Sequence, residues 1–560
     1  MFQFNDIIYD GHENMGLKHY KDGFKDLHGV WYDALKDSDV AGVLKANFYI
    51  DGKLRQVYSD KDSHSVVVAG TGLGKTTQVV IPTIKSYARQ KTKKSMLISD
   101  PKGEVRKQVE GDLRANGYKI LALDFRNPTL SECWNPLTPL YRKYHRALDI
   151  RDEVELVQTP DGPRNKFLGK IYNSQAKLMR DVLTVNKLLM EEVGNDIDDI
   201  AEIIAPPTGS ADDKMWEDGA RDIIKALLWG MLEDSNERTR ISREPITEDN
   251  FSFATMLSIS NNFMGERDTS YYDYDKGYFS RRRADSKALY YASNVVIGPS
   301  SQTRASFMSV YNTQVNSFKN SAINLITRCN SFDFSELMQG PTAVFINYRD
   351  EVKTSYSIIS LFVQKLYIYL IEEANKQESG ALKTPWYFIL DEFGNFPRMR
   401  DFDSVISACR SRNIYFMLII QSYAQLESVY NKNVAEIIKD NLNVHIFIGS
   451  NNIDTLEAFS RECGKVTRMS PLSALNGDKE SIDRYQLETI PLLPVSALAH
   501  IEEGECVVTE ANTGYVMWSR MERCYKCEEF KPIPFESERF MQKVDPFDSK
   551  YTYKFGVNGR

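Results

Sequence analysis

Residues 65–84, SVVVAGTGLGKTTQVVIPTI, constrain the fold of this chain more than any other segment. The apolar run predicts a buried strand, the glycines a turn, and the residues after Lys75 the first turns of a helix. The phosphate-binding pattern G-x-x-x-x-G-K-[ST], the P-loop, is met except at its first position, where Ala69 replaces glycine. Gly70 and Gly72 add backbone freedom, and a methyl group at the end of a strand is tolerated if φ stays negative.

Strand-like and helical patterns alternate after this segment and predict an α/β fold with a parallel sheet. SMLISDPKGE and YKILALDF are the next predicted strands, with a helix between them that stops at Gly117. The alternation returns with PTAVFINYRDE, WYFILDEFGNF, IYFMLIIQSYAQL and NVHIFIGSNN. Between these two stretches, helical periodicity as in NSQAKLMRDVLTVNKLLMEEV predicts an inserted all-α domain.

These patterns divide the 560 residues into four parts. Residues 1–64 are an N-terminal segment in which Asp51-Gly52 predicts a β-hairpin. Residues 65–140 are the first part of a P-loop domain, and residues 141–334 are the all-α domain. Residues 335–560 hold the second part of the P-loop domain and a C-terminal tail.

Composition excludes some classes of protein. A net charge of −7 argues against a wholly basic coat for nucleic acid, and seven scattered cysteines fit a reducing cytoplasm better than a disulfide framework. Cys524 and Cys527, in CYKC, are half of a zinc site, but no second pair follows, so a strand with its turn is the favoured interpretation. The first thirty residues do not have the charged start and apolar core of a signal peptide.

The P-loop predicts a site for ATP and Mg²⁺. In such a loop backbone N–H groups and a helix N-terminus surround the phosphates, the lysine pairs with the β and γ oxygens, and the hydroxyl binds magnesium. Lys75 and Thr76 fit these two roles. A glycine-rich turn without a ligand is the alternative. The candidate nucleotide-binding residues are Gly70, Thr71, Gly72, Leu73, Gly74, Lys75, Thr76 and Thr77.

The segment YFILDEF meets the second requirement of a P-loop enzyme, a carboxylate at the end of a neighbouring strand. Asp391 is placed to bind the metal, directly or through water, and Glu392 to orient or deprotonate the attacking water. A DE pair after an apolar strand is common by chance. Its occurrence together with Lys75 in one chain makes the pair a strong candidate.

Two further polar residues lie near this segment in sequence. Gln421 ends the strand LIIQS and is a candidate to sense the γ-phosphate, with an amide that caps the strand as the alternative. Arg410, in ACRSRN before that strand, is a candidate to reach a neighbouring subunit's nucleotide as an arginine finger. A solvated surface arginine is the alternative there.

The segment YYDYDKGYFSRRRADSKALYY interleaves tyrosines with the run Arg281, Arg282 and Arg283. Such a segment can bind nucleic acid, because arginines neutralise phosphates and aromatic rings stack on bases. A solvated loop of a helical domain remains the alternative.

The chain contains six characteristic segments in the following order: HSVVVAGTGLGKTTQVVIPTI, ISDPKGE, WNPL, MWEDGARDIIKALL, FILDEFGNF and IIQSYAQLESVY. Together they resemble the type IV coupling proteins of bacterial conjugation, the TraG-type ATPases. The similarity runs from about residue 64 to about residue 467 and continues more weakly through GECVVTEANTGYV. It implies a RecA-like P-loop nucleotide-binding domain interrupted by an all-α domain.

The resemblance also implies a function and a set of partners. The chain would be an ATP hydrolase, stimulated by DNA, that recruits the relaxase-DNA complex to the type IV secretion channel and energises DNA transfer. Its partners would be the relaxosome, single-stranded DNA, the ATPases of the channel and further copies of this chain in a hexamer. Lys75, Thr76, Asp391 and Glu392 would be the Walker residues, Arg410 the arginine finger, and Gln421 the glutamine of the next motif.

Two features depart from the family pattern. Ala69 replaces a glycine, and the N-terminal membrane segments common in the family are missing, because polar residues 1–64 precede the first core strand. The apolar stretch SIISLFVQKLYIYLI is shorter than the roughly 20 residues of a membrane helix. We therefore expect a cytoplasmic protein that a separate small membrane protein recruits to the inner face of the cell membrane.

Two other functions stay open at this point. A translocase of the FtsK or HerA type would act on duplex DNA inside the cell, whereas the helical insertion and DPKGE favour the coupling protein. A docking receptor, from a different class, would recognise a relaxase or protein effector and use nucleotide only as an assembly switch.

Overall fold

The computed structural model describes residues 16–19, 30–33, 42–152, 157–159, 162–164, 172–207, 213–264, 277–349, 351–471, 485–511, 513, 515–535 and 545–553. These residues form two compact units. Unit 1 consists of the described residues within Met1–Ala122, Phe334–Glu351 and Gln364–Glu538. Unit 2 consists of those within Leu123–Asp333, Val352–Val363 and Arg539–Arg560.

Unit 1 is built on a mixed sheet of ten strands, and three small sheets complete the described strands. The strands are β1 Gly16–His19, β2 Val30–Asp33, β3 Leu44–Ile50, β4 Lys53–Tyr58, β5 Ser65–Ala69, β6 Ser95–Ser99, β7 Lys119–Asp124, β8 Val157–Thr159, β9 Gly162–Arg164, β10 Thr342–Asn347, β11 Trp386–Leu390, β12 Ile414–Ile420, β13 Val444–Gly449, β14 Lys465–Pro471, β15 Tyr485–Pro491, β16 Glu505–Glu510 and β17 Tyr515–Arg520.

The large sheet has the strand order β1-β17-β16-β13-β5-β12-β11-β6-β10-β7. Strand β5 pairs in parallel with β12 and β13, and β11 pairs in parallel with β12 and β6. Every residue of β5, β6, β11 and β12 is buried. Continuous apolar runs such as IYFMLII therefore form central strands covered on both faces, within the α/β fold that the sequence predicted.

The helices of the described chain have the following bounds: α1 Ile81–Arg89, α2 Glu104–Ala115, α3 Thr138–Asp152, α4 Gln175–Ile204, α5 Lys214–Asp234, α6 Phe253–Met264, α7 Lys287–Ala292, α8 Ser301–Gln314, α9 Ser321–Ile326, α10 Tyr356–Asn375, α11 Phe402–Cys409, α12 Tyr423–Tyr430, α13 Lys432–Asn441, α14 Ile453–Glu462 and α15 Val495–Leu498. Helix α2 ends two residues before Gly117, whose φ of 81° lies in the left-handed region that favours glycine.

The hairpin predicted at Asp51-Gly52 is present. Strands β3 and β4 are antiparallel, with Ile50 opposite Lys53, so the two residues between them form the whole loop. Asp51 and Gly52 have φ values of 49° and 72°, the signs that a tight hairpin turn requires. The hairpin is joined to the C-terminal part of unit 1, where the Glu522 N–H donates to the Asn47 carbonyl at 2.9 Å.

Unit 2 is helical, with one short antiparallel pair of strands, β8 and β9. Its interior contains one residue of the run at residues 281–283, for which the sequence analysis left DNA contact and a solvated loop open. Arg282 is buried, with 1% of its side chain exposed, and its guanidinium pairs with Glu233 at 3.0 Å and Asp234 at 3.1 Å. The same guanidinium lies 4.5 Å from the centre of the Tyr278 ring. Because a buried guanidinium with two carboxylate partners cannot reach a phosphate, Arg282 has a structural role.

The exposed part of that run is smaller than the sequence suggested. Arg283 is exposed and pairs with Asp285 at 3.0 Å, so its charge is locally neutralised. The tyrosines at positions 271, 272 and 274 lie outside the described residues.

One helix of the described chain, Lys353–Asn375, is long and apolar enough to cross a membrane. Buried residues make up 61% of its most apolar window, as in a core helix of a soluble protein. The helix has 23 residues, so it is longer than the apolar stretch identified in the sequence and reaches the length of roughly 20 residues that a membrane helix needs.

Candidate nucleotide-binding site

The predicted P-loop lies between the carboxyl end of β5 and the first helical turn after it. The loop begins beside β13, where the Gly70 N–H donates to the Gly449 carbonyl at 2.8 Å. Gly72 and Gly74 have φ values of 82° and 89°, which L-residues with a Cβ adopt only under strain. Ala69 is buried at the end of β5 and does not lie in the left-handed region, so the position without glycine has an ordinary backbone conformation.

The helix after the loop begins with a π-helical turn, Thr76–Val80, and continues as α1. Its first backbone bond runs from the Gln78 N–H to the Gly74 carbonyl at 2.8 Å, and the Thr77 hydroxyl donates to the same carbonyl at 3.1 Å. The N–H groups of the first turn have no partner within a helix, and the helix dipole makes this end positive. The loop and the helix start together form an anion-binding arrangement.

Strand β11 brings Asp391 to the hydroxyl of Thr76. The Thr76 Oγ1 donates to Asp391 Oδ2 at 3.0 Å, and the Lys75 Nζ lies 3.9 Å from Asp391 Oδ1. The backbone on both sides of this carboxylate is held, because Ser99 Oγ donates to the Asp391 carbonyl at 2.8 Å and the Glu392 N–H donates to Oδ1 at 2.9 Å. A hydroxyl and a carboxylate at this separation are oxygen ligands of the kind that Mg²⁺ takes.

Glu392 is held between two partners. Its Oε1 forms an ion pair with the ammonium of Lys75, and its Oε2 accepts from the side-chain amide of Gln421 at 2.9 Å. The backbone of Glu392 has a φ of 53°, in the left-handed region that costs a residue with a Cβ of order 1 kcal/mol or more. This conformation turns two consecutive carboxylates, Asp391 and Glu392, toward the same loop.

Gln421 follows β12, the strand between β5 and β11, and connects the two halves of the site. Its Oε1 accepts from the Thr71 hydroxyl at 3.0 Å, while its Nε2 donates to Glu392. A continuous chain of hydrogen bonds therefore runs from the loop residue Thr71 to the carboxylate of Glu392. The side-chain amide of Gln421 therefore couples the position of Thr71 to that of the Glu392 carboxylate.

Burial sets the electrostatics of the site. The carboxyl of Asp391 is buried, and this burial raises its pKa above the ordinary value, an effect that the Lys75 ammonium opposes and the neighbouring Glu392 carboxylate reinforces. Two carboxylates beside one ammonium leave a local excess of negative charge. Such a site favours a cation, and a divalent ion would relieve the repulsion between the two acids.

Arg410 does not join this site in its own chain. It precedes β12, whereas Gln421 follows the other end of the same seven-residue strand. At about 3.3 Å per residue, the strand alone separates the two by roughly 20 Å. Arg410 is exposed and lies beside a surface cavity of about 530 Å³ that Asp60, Lys61 and Tyr415 also line.

The structure places one basic residue at the loop that the sequence analysis did not select. Arg523, after β17, directs its guanidinium at the loop, with Nη2 3.5 Å from the Leu73 carbonyl oxygen. A Cβ added at Gly74 would lie 3.0 Å from the guanidinium carbon. The sequence analysis considered only the adjacent CYKC pattern in this part of the chain. No motif predicts a contact between the loop and a residue 450 positions after Leu73.

Three comparisons place this architecture among known proteins. The family model described as "Type IV secretory system Conjugative DNA transfer" matches residues 30–513. A curated relative, the conjugal transfer protein TraG of Agrobacterium fabrum, is 23% identical over 485 residues, which cover 83% of this chain and 62% of that protein. The chain therefore spans less than two thirds of the length of this relative.

Solved structures of the conjugative coupling protein TrwB share the fold. The trigonal form of TrwBdeltaN70 in complex with sulphate has a TM-score of 0.57 at 12% identity, covering 93% of this chain and 97% of that one. TrwB in complex with the ATP analogue ADPNP has a TM-score of 0.54 at 12% identity, covering 92% and 96%. At these identities the likeness concerns the fold, a RecA-like domain of mixed α/β type.

Proposed function

Because the chain belongs to the type IV secretory system conjugative DNA transfer family, we propose that it is a type IV coupling protein. It binds ATP with Mg²⁺ at the P-loop and hydrolyses it, and this hydrolysis supports the transfer of DNA from a relaxosome into a type IV secretion channel. The observation that carries the proposal is the meeting of Lys75, Thr76, Asp391, Glu392 and Gln421 at the ends of three adjacent strands.

The residues present fit a magnesium nucleotide. The loop offers backbone N–H groups and two glycines with positive φ, and the helix that begins with the π-helical turn offers its N-terminus. Lys75 and Thr76 follow the glycines in the order of the P-loop pattern. Thr76 and Asp391 would hold the metal. When bound, the metal supplies positive charge that stabilises the phosphate oxygens during transfer to water.

Each side chain has a task that its geometry supports. Among the described residues, Lys75 is the one cation that contacts both Asp391 and Glu392. It therefore neutralises negative charge at the mouth of the loop. Glu392 has a fixed carboxylate beside the loop and orients or deprotonates the attacking water. Gln421 positions Glu392 and, through Thr71, senses the state of the loop.

The ion pair between Lys75 and Glu392 gives the site two states. While the ammonium binds Glu392, the carboxylate is neutralised and is a weak base. When the ammonium turns to phosphate oxygens, Glu392 keeps the amide of Gln421 as its described partner. The base is therefore available only when the loop is filled, and this limits the activity of the empty site.

The remaining parts of the proposal concern assembly. Arg410 lies at the opposite edge of the sheet from the loop, so it can act on a nucleotide only in another subunit, in a ring that we propose to be a hexamer. The partners are the relaxosome, single-stranded DNA and the channel ATPases. We further propose a cytoplasmic location at the inner face of the cell membrane, through a small membrane-anchor protein; uniform distribution in cells with the whole transfer system would contradict it.

A DNA-transfer assay tests the proposal. Cells that carry the mobile element without its own copy of this chain are complemented with the wild-type chain, Glu392→Gln or Lys75→Ala, and transfer frequency is measured. Relaxase docking is measured in parallel by co-purification. We expect both variants to abolish transfer and Glu392→Gln to retain docking. Transfer at the wild-type frequency by Glu392→Gln would show a docking receptor whose nucleotide is only an assembly switch.

The preference for DNA distinguishes the second alternative. We expect the purified chain to bind single-stranded DNA more tightly than duplex DNA of the same length, measured at one fixed salt concentration. A preference for the duplex would favour a translocase of the FtsK or HerA type.

A further inference from the structure

We propose that the turn at residues 523–525 forms the nucleoside side of the nucleotide site. In this proposal the ring of Tyr525 stacks on the base of a nucleoside triphosphate, and the guanidinium of Arg523 fixes the ribose beside the loop. The inference rests on the proposed function, since it names what recognises the non-phosphate half of the ligand at the same P-loop.

Strand order places this turn opposite the carboxylates. Asp391, Glu392 and Gln421 reach the loop from β11 and β12, on one side of β5. Residues 523–525 follow β17, which lies on the other side of β5, beyond β13 and β16. The terminal phosphate of a bound nucleotide belongs beside the magnesium ligands and the catalytic base. Its nucleoside end then extends away from them, toward the side from which Arg523 approaches.

Arg523 is held at the loop and keeps hydrogen-bonding capacity. Its Nη2 is 3.5 Å from the Leu73 carbonyl oxygen, and its Nη1 donates to the Tyr525 hydroxyl at 3.0 Å. Its Nε is buried and has no hydrogen-bond acceptor among the described residues, the nearest carboxylate oxygen of Glu503 being 3.5 Å away. Because Nε is buried, the donors that a ligand can reach are those on Nη1 and Nη2, which lie beside the loop and suit the hydroxyl groups of a ribose.

Tyr525 presents its ring to solvent while its neighbours are buried. The side chain is 61% exposed, although the cysteines on either side, Cys524 and Cys527, are 4% and 1% exposed in the main core. An exposed aromatic ring on a turn fixed by two buried cysteines is a rigid stacking surface. This arrangement also explains CYKC without a metal: the cysteines anchor the turn, and the tyrosine between them faces outward.

The segment that carries the turn is tied to the P-loop helix. Lys85, on α1, donates to the Phe530 carbonyl at 2.8 Å, and Arg89 donates to the Glu529 carbonyl at 2.6 Å. Both cations also pair with the buried Asp112, at 2.8 Å and 2.9 Å. The helix that begins at the phosphates therefore positions the turn. A bound nucleoside would meet a surface whose place relative to the loop is already set.

Equilibrium binding with two ligands tests the proposal. ATP and inorganic tripolyphosphate, which has no nucleoside, are titrated by calorimetry in the presence of Mg²⁺ into the wild-type chain, Arg523→Ala, Tyr525→Ala and Tyr525→Phe. Lys526→Ala is the matched control from the same turn, because the described partner of its ammonium is the Glu503 carboxylate at 3.4 Å. Lys75→Ala tests the P-loop itself.

We expect Tyr525→Ala and Arg523→Ala to weaken ATP binding roughly tenfold each and to leave tripolyphosphate binding unchanged. Tyr525→Phe, which keeps the ring, should stay within about twofold of the wild type, as should Lys526→Ala. Equal losses for both ligands in Arg523→Ala and Tyr525→Ala, or no loss of ATP binding in Tyr525→Ala, would overturn the proposal. Failure of the proposed function has a different result: the wild-type chain would bind neither ligand, or Lys75→Ala would bind both normally.

Discussion

The Lys75 ammonium and the Glu392 carboxylate form an ion pair across the mouth of the P-loop, from positions 317 residues apart in the sequence. Among the described residues, Lys75 has one further carboxylate partner, Asp391 at 3.9 Å, and Glu392 has no second cationic partner within 4 Å. Because the pair is largely buried, removal of one member leaves the other charge uncompensated. Substitutions at the two positions should therefore have distinct and separable effects.

Glu392→Gln should keep ATP binding and lose hydrolysis. Glutamine retains the size of the side chain and its hydrogen bond with Gln421, but it cannot accept a proton from water. We expect kcat to fall at least about 100-fold with the Kd for ATP within a few-fold of wild type. Quenched-flow hydrolysis and calorimetric binding measure the two quantities. Glu457→Gln, an exposed position on α14, is the control and should change neither.

Asp391→Asn should preserve the stability of the empty protein and lose the stabilisation by magnesium nucleotide. Burial raises the pKa of the Asp391 carboxyl, so at neutral pH the folded protein keeps an unfavourable charge that asparagine removes. We expect the free energy of unfolding without ligand to stay equal or rise by about 1 kcal/mol. This gain should shrink as the pH falls and the wild-type carboxyl becomes protonated.

Thermal unfolding with and without Mg²⁺ and ATP measures both effects of Asp391→Asn. A marked loss of stability without ligand, or an undiminished shift of Tm by magnesium nucleotide, would contradict the assignment of Asp391 as a metal ligand.

Arg410→Ala should be inactive alone and rescued by a partner subunit. Since Arg410 and Gln421 lie at opposite ends of β12, the arginine of one chain can serve only another chain's site. A mixture of Arg410→Ala with Glu392→Gln contains interfaces with an intact base and an intact arginine. We expect this mixture to recover part of the ATP hydrolysis that each variant lacks. Lys61→Ala, at the same surface cavity, should stay near wild type. No recovery at concentrations where mixed oligomers are demonstrated would exclude action in trans.

His445 and Glu462 should make stability depend on pH in a defined direction. Burial alone would lower the pKa of His445, but its hydrogen bond and ion pair with Glu462, at 2.9 Å, raise the pKa above the ordinary value of 6.5. A histidine with a raised folded pKa contributes its stabilisation in full below pH 6.5 and loses it as the pH rises through the folded value. Glu462→Gln should therefore cost about 1 kcal/mol at pH 6, and this cost should shrink toward pH 9.

Denaturant unfolding of the wild-type chain and of Glu462→Gln between pH 6 and pH 9 measures the difference in their free energies of unfolding. A cost of Glu462→Gln that grows with pH would contradict the ion pair as its source.

The sequence was sufficient for the elements that local chemistry determines. The order of residues from Ser65 to Val80 predicts a strand, a turn and a helix start, and the apolar run WYFIL before Asp391 predicts a buried strand with two acids at its end, as the structure has them. The parallel direction of β5, β11 and β12 then brings these residues to one edge, whatever the order of the strands.

Features that depend on distant parts of the chain could not be predicted in this way. Arg282 is part of a charged run in the sequence, but Glu233 and Asp234 on α5 bind it inside unit 2. Arg523 reaches the loop because β16 and β17 extend the sheet beyond β13, an arrangement that no local pattern encodes. The left-handed backbone of Glu392 is likewise imposed by its surroundings, since glutamate has no preference for it.

Steady-state ATP hydrolysis by the purified chain tests the central claim most directly. The rate is measured with and without single-stranded DNA, over a range of protein concentrations, beside Lys75→Ala. We predict a rate that rises with DNA, rises more than linearly with protein and is abolished in Lys75→Ala. A chain with demonstrated ATP binding and no hydrolysis above the Lys75→Ala background, with DNA present and at the highest protein concentration, would contradict the account.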